Sequence, residues 1–119
     1  MVKEISKVVK DGKVAVLYSP NYGAGWYTWN DKYLEILFDP DIVNLVLDDG
    51  ELNYGEYRKT KFTEKVEELV NEKYDGNIYT GGSCKLDIYW VTQGEQFEVT
   101  EYDGYESVNV IGEVQYLIA

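Results

Sequence analysis

Residues 18–30 carry the strongest indication of chemistry in this sequence. Within thirteen residues they include five aromatic rings, two glycines and one proline. Glycine at positions 23 and 25 permits a positive φ or a close approach of a partner to the backbone. The adjacent rings offer flat, rigid surfaces for stacking, with polar tips that can still form hydrogen bonds. This combination is typical of a site for a planar molecule, such as a nucleobase or an aromatic side chain.

The candidate binding residues in this segment, called the aromatic loop below, follow from that interpretation. We expect Trp26 or Trp29 to stack on a base, glycine amides to contact phosphate or ribose, and Asn30 or Ser19 to bind polar edges. In the alternative interpretation the rings pack over a sheet and the glycines only shape a turn. The predicted ligand-binding residues of the loop are Tyr18, Ser19, Asn21, Tyr22, Gly23, Ala24, Gly25, Trp26, Trp29 and Asn30.

A short basic stretch supplies the candidate phosphate ligands. Arg58 and Lys59 could clamp a phosphate, the arginine through its planar fork and the lysine as a point charge. Lys32 and Lys85 are weaker candidates of the same kind. The alternative is that these cations are solvated counter-charges in an acidic protein.

Most familiar catalytic chemistry is excluded by the residues that this chain lacks. There is no histidine and a single cysteine, Cys84, which rules out histidine-based triads and histidine–cysteine zinc sites. Glu101, Asp103 and Glu106 surround a turn and could hold a divalent ion, but Asp103 is also an ordinary turn residue. We therefore predict a binding protein with no catalytic residue, no metal and no cofactor. Hydrolysis of a nucleotide would need a metal held by acidic residues.

Composition limits the class of protein and the partners. The 119 residues are 45% hydrophobic, which matches one compact domain spanning 1–119. A formal net charge of -11 repels phosphate polymers, so we expect no binding to DNA or RNA. The single cysteine indicates a reducing compartment, and no signal peptide or apolar membrane segment is evident. We expect a cytoplasmic protein that has no contact with membranes.

Local patterns in the first half predict a hairpin followed by a helix. Residues 2–9 and 14–18 are rich in β-branched side chains and flank Asp11-Gly12, a pair that favours a type I′ turn. Residues 33–38 are too short and apolar to be assigned to strand or helix. Asp39-Pro40 then predicts a helix start, with aspartate as the N-cap, and the helix should stop near residues 48–50. Phe38 could staple onto Val43.

The second half is predicted to contain a loop, a helix and further strands. Residues 50–60 indicate a loop, and apolar positions spaced by three or four predict a helix over 61–74, ended by residues 75–77. Leu86, Ile88 and Trp90 share one face of a strand over 85–91. Alternation around Asp103-Gly104 predicts a second hairpin or small meander, and residues 114–118 suggest an edge strand or a subunit contact. The order of elements predicts an α+β fold, in which an antiparallel sheet, built from an N-terminal hairpin and a C-terminal meander, carries about two helices on one face.

Several of these segments also resemble a group of proteins. Three parts of the chain are similar to small uncharacterised proteins encoded by bacteriophages and prophages: residues 16–26 with 29–30, which overlap the pattern YSPxYGAGWxTWN at 18–30, residues 37–40, and residues 101–107 (EYDGxES). The resemblance spans most of the chain and implies no particular active site. It does imply a setting, since small acidic phage proteins often counter host defence, and one class consists of sponges that cage cyclic nucleotides or ADP-ribose derivatives.

Together these observations lead to two expected functions. The first is a phage accessory protein that sequesters a small nucleotide-type signal in the cytoplasm of the infected host without catalysis, through the aromatic loop with help from Arg58 or Lys59. A homo-oligomer would close such a pocket between copies. The alternative is an acidic protein-interaction module that inhibits a host protein by charge and shape.

Overall fold

The computed structural model describes residues 5–21, 23–53, 55–74 and 77–111. In these ranges the elements are β1 (Val9–Lys10), β2 (Lys13–Tyr18), α1 (Pro40–Asp49), α2 (Thr60–Tyr74), β3 (Asp87–Thr92), β4 (Phe97–Tyr102) and β5 (Tyr105–Val110). Two 3₁₀ helices, Leu34–Leu37 and Gly81–Lys85, lie between them. The predicted α+β class, with antiparallel strands and two helices in the middle of the chain, is confirmed.

The N-terminal hairpin forms at the predicted turn. Asp11 and Gly12 both have positive φ, 53° and 74°, as a type I′ turn requires. The first strand is shorter than predicted, because β1 covers only Val9–Lys10 and residues 5–8 are not strand. Upstream of β1, Lys7 extends over the Phe38 ring, with its Nζ 4.7 Å from the ring centroid. Residues 1–4 of the predicted strand lie outside the described residues.

Strand β2 is the centre of the fold. It pairs with β1 on one side and along its whole length with β3 on the other. Ala15 and Leu17 face a core shared with both helices, whereas Val14 and Val16 face a second core that includes Val108 of β5. Because both faces of β2 are covered, its sequence is a continuous apolar run without the polar alternation of a half-exposed strand.

The remaining strands, β4 and β5, form a separate two-stranded sheet. Their turn lies at Asp103-Gly104, as predicted, with φ values of 51° and 83°. Phe97 of β4 packs edge-on against Phe38, with ring centroids 6.2 Å apart. The described residues therefore form three layers: the helices, the sheet β1-β2-β3, and the β4–β5 hairpin.

Helix α1 begins where the sequence predicts. The carboxylate of Asp39 accepts hydrogen bonds from the backbone N–H groups of Asp41 and Ile42, at 3.0 and 3.3 Å. These bonds satisfy two of the amides that the first turn leaves without a helical partner. The helix ends at Asp49, and Gly50 follows with a φ of 90°, which glycine adopts without strain.

The segment before α1, which the sequence left unassigned, is a 3₁₀ helix. Ile36 and Leu37 on this helix are buried. The predicted staple of Phe38 on Val43 is not formed, since Phe38 belongs to the core facing the β4–β5 hairpin and Val43 to the core facing the helices. The 3₁₀ helix therefore connects the two cores.

Helix α2 matches the predicted amphipathic helix to within one residue at its start. Phe62, Val66 and Val70 are buried against the sheet. Lys73, near the end of the helix, is partly exposed and donates hydrogen bonds to both carboxylate oxygens of Asp39, at 3.0 and 3.2 Å. This ion pair ties the end of α2 to the start of α1.

Some predictions lie outside the described residues. They are the binding role of Tyr22, the helix stop at residues 75 and 76, and the tail at 114–119 as a strand or subunit contact. In the part of the chain that is described, no helix has the length and apolar character needed to cross a bilayer.

Candidate functional site

The aromatic loop and the β4–β5 turn, distant in sequence, lie against each other. The N–H of Gly23 donates to the carbonyl of Asp103 at 3.1 Å, and the N–H of Glu106 donates to the carbonyl of Ser19 at 2.9 Å. Gly104 sits so close to the loop that a Cβ built on it would overlap the carbonyl group of Gly23. The aromatic loop and the β4–β5 turn are therefore one structural unit.

A fully buried carboxylate, that of Glu106, holds this unit together. Its Oε1 accepts from the Ser19 N–H at 2.8 Å, and its Oε2 accepts from the Thr28 N–H at 2.8 Å and the Thr28 hydroxyl at 2.7 Å. Sequence reasoning considered Glu106 only as a metal ligand. The sequence does contain one indication that Glu106 is buried. Glu106, Val108 and Val110 occupy alternate positions of β5 and so share its inward face.

Replacing Glu106 by glutamine tests this assignment. The new NH₂ group must face an N–H donor, so at least one buried amide of the loop loses its acceptor. We expect Glu106→Gln to lower the free energy of unfolding by about 2–3 kcal/mol, measured by urea denaturation. Glu98→Gln removes the same charge from an exposed site on β4 and should change stability by less than about 0.5 kcal/mol. Equal losses in the two variants would contradict the assignment.

The interior of the aromatic loop is occupied by Trp26 and Asn30. Trp26 is completely buried, and its indole N–H donates to the carbonyl of Ile36 at 3.0 Å. The Asn30 amide donates to the carbonyls of Trp26 and Tyr79, at 2.7 and 2.9 Å, and accepts from the N–H of Tyr79 at 2.8 Å. In this structure both side chains hold the loop together, and neither presents a surface to a ligand.

Trp29, by contrast, forms an exposed aromatic surface with Tyr79. The rings are stacked, with centroids 5.6 Å apart and planes 21° apart, and about half of each residue is exposed. A Cβ on Gly25 would approach Trp29 Cδ1 to 2.7 Å, and one on Gly81 would approach the Tyr79 ring to 2.6 Å. The absence of side chains at these two glycines lets both rings lie flat on the backbone.

Arg58, predicted as a phosphate clamp, is buried, and its Nε and Nη1 donate within the fold, whereas its buried Nη2 has no hydrogen-bond partner among the described residues. Its Nε donates to the carbonyl of Leu86 at 3.0 Å, and its Nη1 donates to Asp49 Oδ2 at 3.0 Å and to the carbonyl of Gly50. Its Nη2 lies 3.7 Å from Asp87 Oδ1. The Arg58 guanidinium therefore connects the C-terminus of α1 to β3. Its positive charge also interacts favourably with the negative end of the α1 dipole. Its partner in the predicted clamp, Lys59, is exposed.

Lys85 is the second buried cation near the loop. Its Nζ donates to the carbonyls of Asn21 and Ala24, at 3.3 and 3.2 Å, and a Cβ on Gly23 would come within 2.5 Å of it. Burial lowers the pKa of the Lys85 ammonium. The hydrogen bonds of Lys85 hold the backbone of the aromatic loop in place. Ser19 is likewise buried, and its hydroxyl donates to Ala24.

A cleft of about 200 Å³ opens beside the aromatic loop, and we call it the loop cleft. Its charged lining residues within the described ranges are both acidic. Burial raises the pKa of the Asp87 carboxyl, and burial together with Asp87 raises the pKa of the Tyr18 hydroxyl. The lining residues with polar groups include Tyr18, Asn21, Asn53, Glu56, Asp87 and Tyr105.

The structure thus divides the predicted site. Tyr18 and Asn21 line the loop cleft, Trp29 is exposed elsewhere on the loop, and the remaining predicted residues that are described stabilise the fold or lie apart from the cleft. Around the β4–β5 turn, Glu101 accepts from the N–H of Gly104 at 2.8 Å. Among the described residues no group of three or more acidic or cysteine side chains is arranged to hold a metal ion.

A comparison of the chain with protein-family models, with curated proteins and with solved structures found no match. The function must therefore be inferred from the site itself.

Proposed function

We propose that this chain is a non-enzymatic interaction module whose acidic surface docks on a basic protein partner and inhibits it. The observation that carries this proposal is the placement of the cations near the aromatic loop. Arg58 and Lys85 are buried, and Arg58 Nε and Nη1 and Lys85 Nζ donate to Asp49 and to backbone carbonyls of the chain itself. A phosphate at the loop would meet the carboxylates of Asp87 and Glu56 in place of these cations.

The overall charge supports the same function. The chain carries a formal net charge of -11, and helix α2 exposes a row of carboxylates at Glu64, Glu67, Glu68 and Glu72. A complementary basic partner would associate quickly and in a salt-dependent way. Because the sequence resembles bacteriophage proteins, host proteins with basic, nucleic-acid-binding surfaces are the partners to test.

The test combines capture with charge reversal on two faces. Immobilised protein should retain one basic host protein in stoichiometric amount at low salt and release it as ionic strength rises. Glu51→Lys with Glu56→Lys reverses charge near the loop cleft, and Glu67→Lys with Glu68→Lys makes the same net change on α2. Loss of capture, about tenfold or more, with either pair supports docking through an acidic face and locates that face. A complex insensitive to salt and to both pairs would reject the proposal.

A second candidate function is sequestration of a small nucleotide-type signal, such as a cyclic nucleotide or an ADP-ribose derivative. The observation that favours it is the exposed stack of Trp29 on Tyr79. A base stacked on an aromatic side chain gains on the order of 1–3 kcal/mol. A homo-oligomer would bring two such surfaces together and close a pocket between them.

Calorimetry against a panel of cyclic dinucleotides and ADP-ribose compounds tests this second candidate. Binding should be lost in Trp29→Ala and kept in Tyr57→Ala, which removes another exposed ring. The ligand should be recovered intact after the protein is heated, since sequestration leaves it unchanged. Absence of binding across the panel rejects nucleotide sequestration.

A further inference from the structure

We infer that the loop cleft binds one arginine side chain of the partner, with its guanidinium against the Asp87 carboxylate and the rings of Tyr18 and Tyr105. This inference rests on the proposed interaction function and names the group that the acidic surface would recognise. It is carried by the size of the cleft, by the chemistry of its walls and by the apolar hollow next to it.

The size of the cleft favours a side chain over a nucleotide. Pockets that enclose small-molecule ligands measure about 300–1,000 Å³, whereas the loop cleft measures about 200 Å³. A nucleotide would leave most of its surface outside such a cleft. A single long side chain would place its charged end inside while its backbone remained in the partner.

The walls of the cleft match a planar cation. A guanidinium stacks on aromatic rings and donates paired hydrogen bonds to a carboxylate. Tyr18 and Tyr105 supply the rings, Asp87 supplies the carboxylate, and Asn21 and Asn53 add polar side chains to the lining. Lysine offers a more strongly hydrated point charge that has no plane to stack.

The carboxylate of Asp87 is held in place before any ligand arrives. Its Oδ1 accepts from the N–H of Ile88 at 2.9 Å and lies 3.7 Å from Arg58 Nη2. The Tyr18 ring is held edge-on against Tyr89, with centroids 6.1 Å apart. A preorganised site loses little side-chain entropy on binding, which favours recognition of a single group.

An apolar hollow adjoins the cleft and shares Asp87 with it. This hollow measures about 140 Å³ and is lined by Leu47, Ile88 and Trp90 among others, with Glu51 at its rim. Asp87 thus stands between an aromatic, acidic cleft and an apolar hollow. The partner segment that fits both carries an apolar side chain next to its arginine.

The direct test is an NMR titration of the full chain with the peptide acetyl-Leu-Arg-Leu-amide. Amide resonances of Tyr18, Asp87, Ile88 and Tyr105 should shift, and the matched peptide with citrulline should bind about tenfold more weakly or worse, because citrulline keeps the shape and loses the charge. The matched peptide with lysine should bind with an affinity between those of the arginine and citrulline peptides. Absence of shifts at these residues, or equal binding of the arginine and citrulline peptides, would overturn the inference.

Variants separate the cleft from general charge. Asp87→Asn should weaken binding of the arginine peptide about tenfold. Glu56→Gln, on the exposed rim, should weaken the same binding severalfold, and this substitution does not alter the contact between Asp87 and Arg58. Glu95→Gln, exposed between β3 and β4, makes the same charge change and should leave binding unaltered. If Glu95→Gln weakened binding of the arginine peptide as much as Asp87→Asn and Glu56→Gln do, the assignment of the loop cleft as the arginine site would be wrong.

The two proposals can fail separately. A salt-sensitive partner complex without arginine-peptide binding at the cleft would overturn the inference and leave the interaction function standing. Peptide binding at the cleft without any basic partner would support arginine recognition and overturn the proposed inhibition of a host protein.

Discussion

Replacement of Gly104 by alanine is expected to prevent the β4–β5 turn from docking and to cost at least about 4 kcal/mol of stability. The added Cβ would overlap the carbonyl group of Gly23 and approach the backbone nitrogen of Ala24 to 3.0 Å. Both obstacles are backbone, so no side-chain rotation relieves them. The residue also has a φ of 83°, which alanine adopts only at a cost of about 1–2 kcal/mol.

Gly12→Ala is a matched control for this prediction. Gly12 occupies the same place in an Asp-Gly turn, with a φ of 74°, but no atom lies within 4 Å of a Cβ built there. Gly12→Ala should therefore lose only the stability that alanine costs at a positive φ, about 1–2 kcal/mol. Urea denaturation of both variants measures the difference, which reports the contact between the turn and the aromatic loop. Similar losses for Gly104→Ala and Gly12→Ala would mean that this contact is not made.

The second large effect is expected at Trp26. Trp26→Ala removes a fully buried indole from the core and leaves the carbonyl of Ile36 without its donor. A truncation of this kind costs about 3–5 kcal/mol. Denaturation followed by far-ultraviolet circular dichroism should show a large drop in the unfolding midpoint.

Trp29→Ala is the control in the same loop. Trp29 is 47% exposed, so its truncation should cost less than about 1 kcal/mol. If Trp26→Ala were as stable as Trp29→Ala, the placement of Trp26 in the core would be wrong. The same comparison is needed to interpret binding data. Loss of binding in Trp26→Ala would result from unfolding, whereas loss of binding in Trp29→Ala would indicate that Trp29 is a stacking surface.

The motifs at 18–30 and 101–107 depend on each other for their positions. Glu106 and Gly104, in one motif, are needed to position Ser19, Gly23 and Thr28 in the other. Several residues of the two motifs thus have a structural role, which is the docking of the turn onto the loop. The residues of these motifs that line the loop cleft, such as Tyr18, Asn21 and Tyr105, are the ones through which binding is to be tested.

The elements that have local causes could be predicted from the sequence alone. The Asp-Gly pairs at 11–12 and 103–104 predicted both hairpin turns, because few other residues adopt a positive φ at low cost. Asp39-Pro40 predicted the start of α1, because a side-chain acceptor and a fixed φ act within one helical turn. The apolar spacing of Phe62, Val66 and Val70 likewise predicted α2 and its buried face.

Which side chains of the aromatic loop are buried and which are exposed depends on tertiary packing and could not be predicted from the sequence. Trp26 and Trp29 are alike in sequence context, yet one is core and the other is exposed. Glu106 reaches Ser19 across 87 positions and Thr28 across 78. Arg58 is buried and donates to Asp49 and to the carbonyl of Leu86. Such contacts depend on how separate elements pack together, and the local rules of turns, caps and periodicity contain no information about distances across the fold.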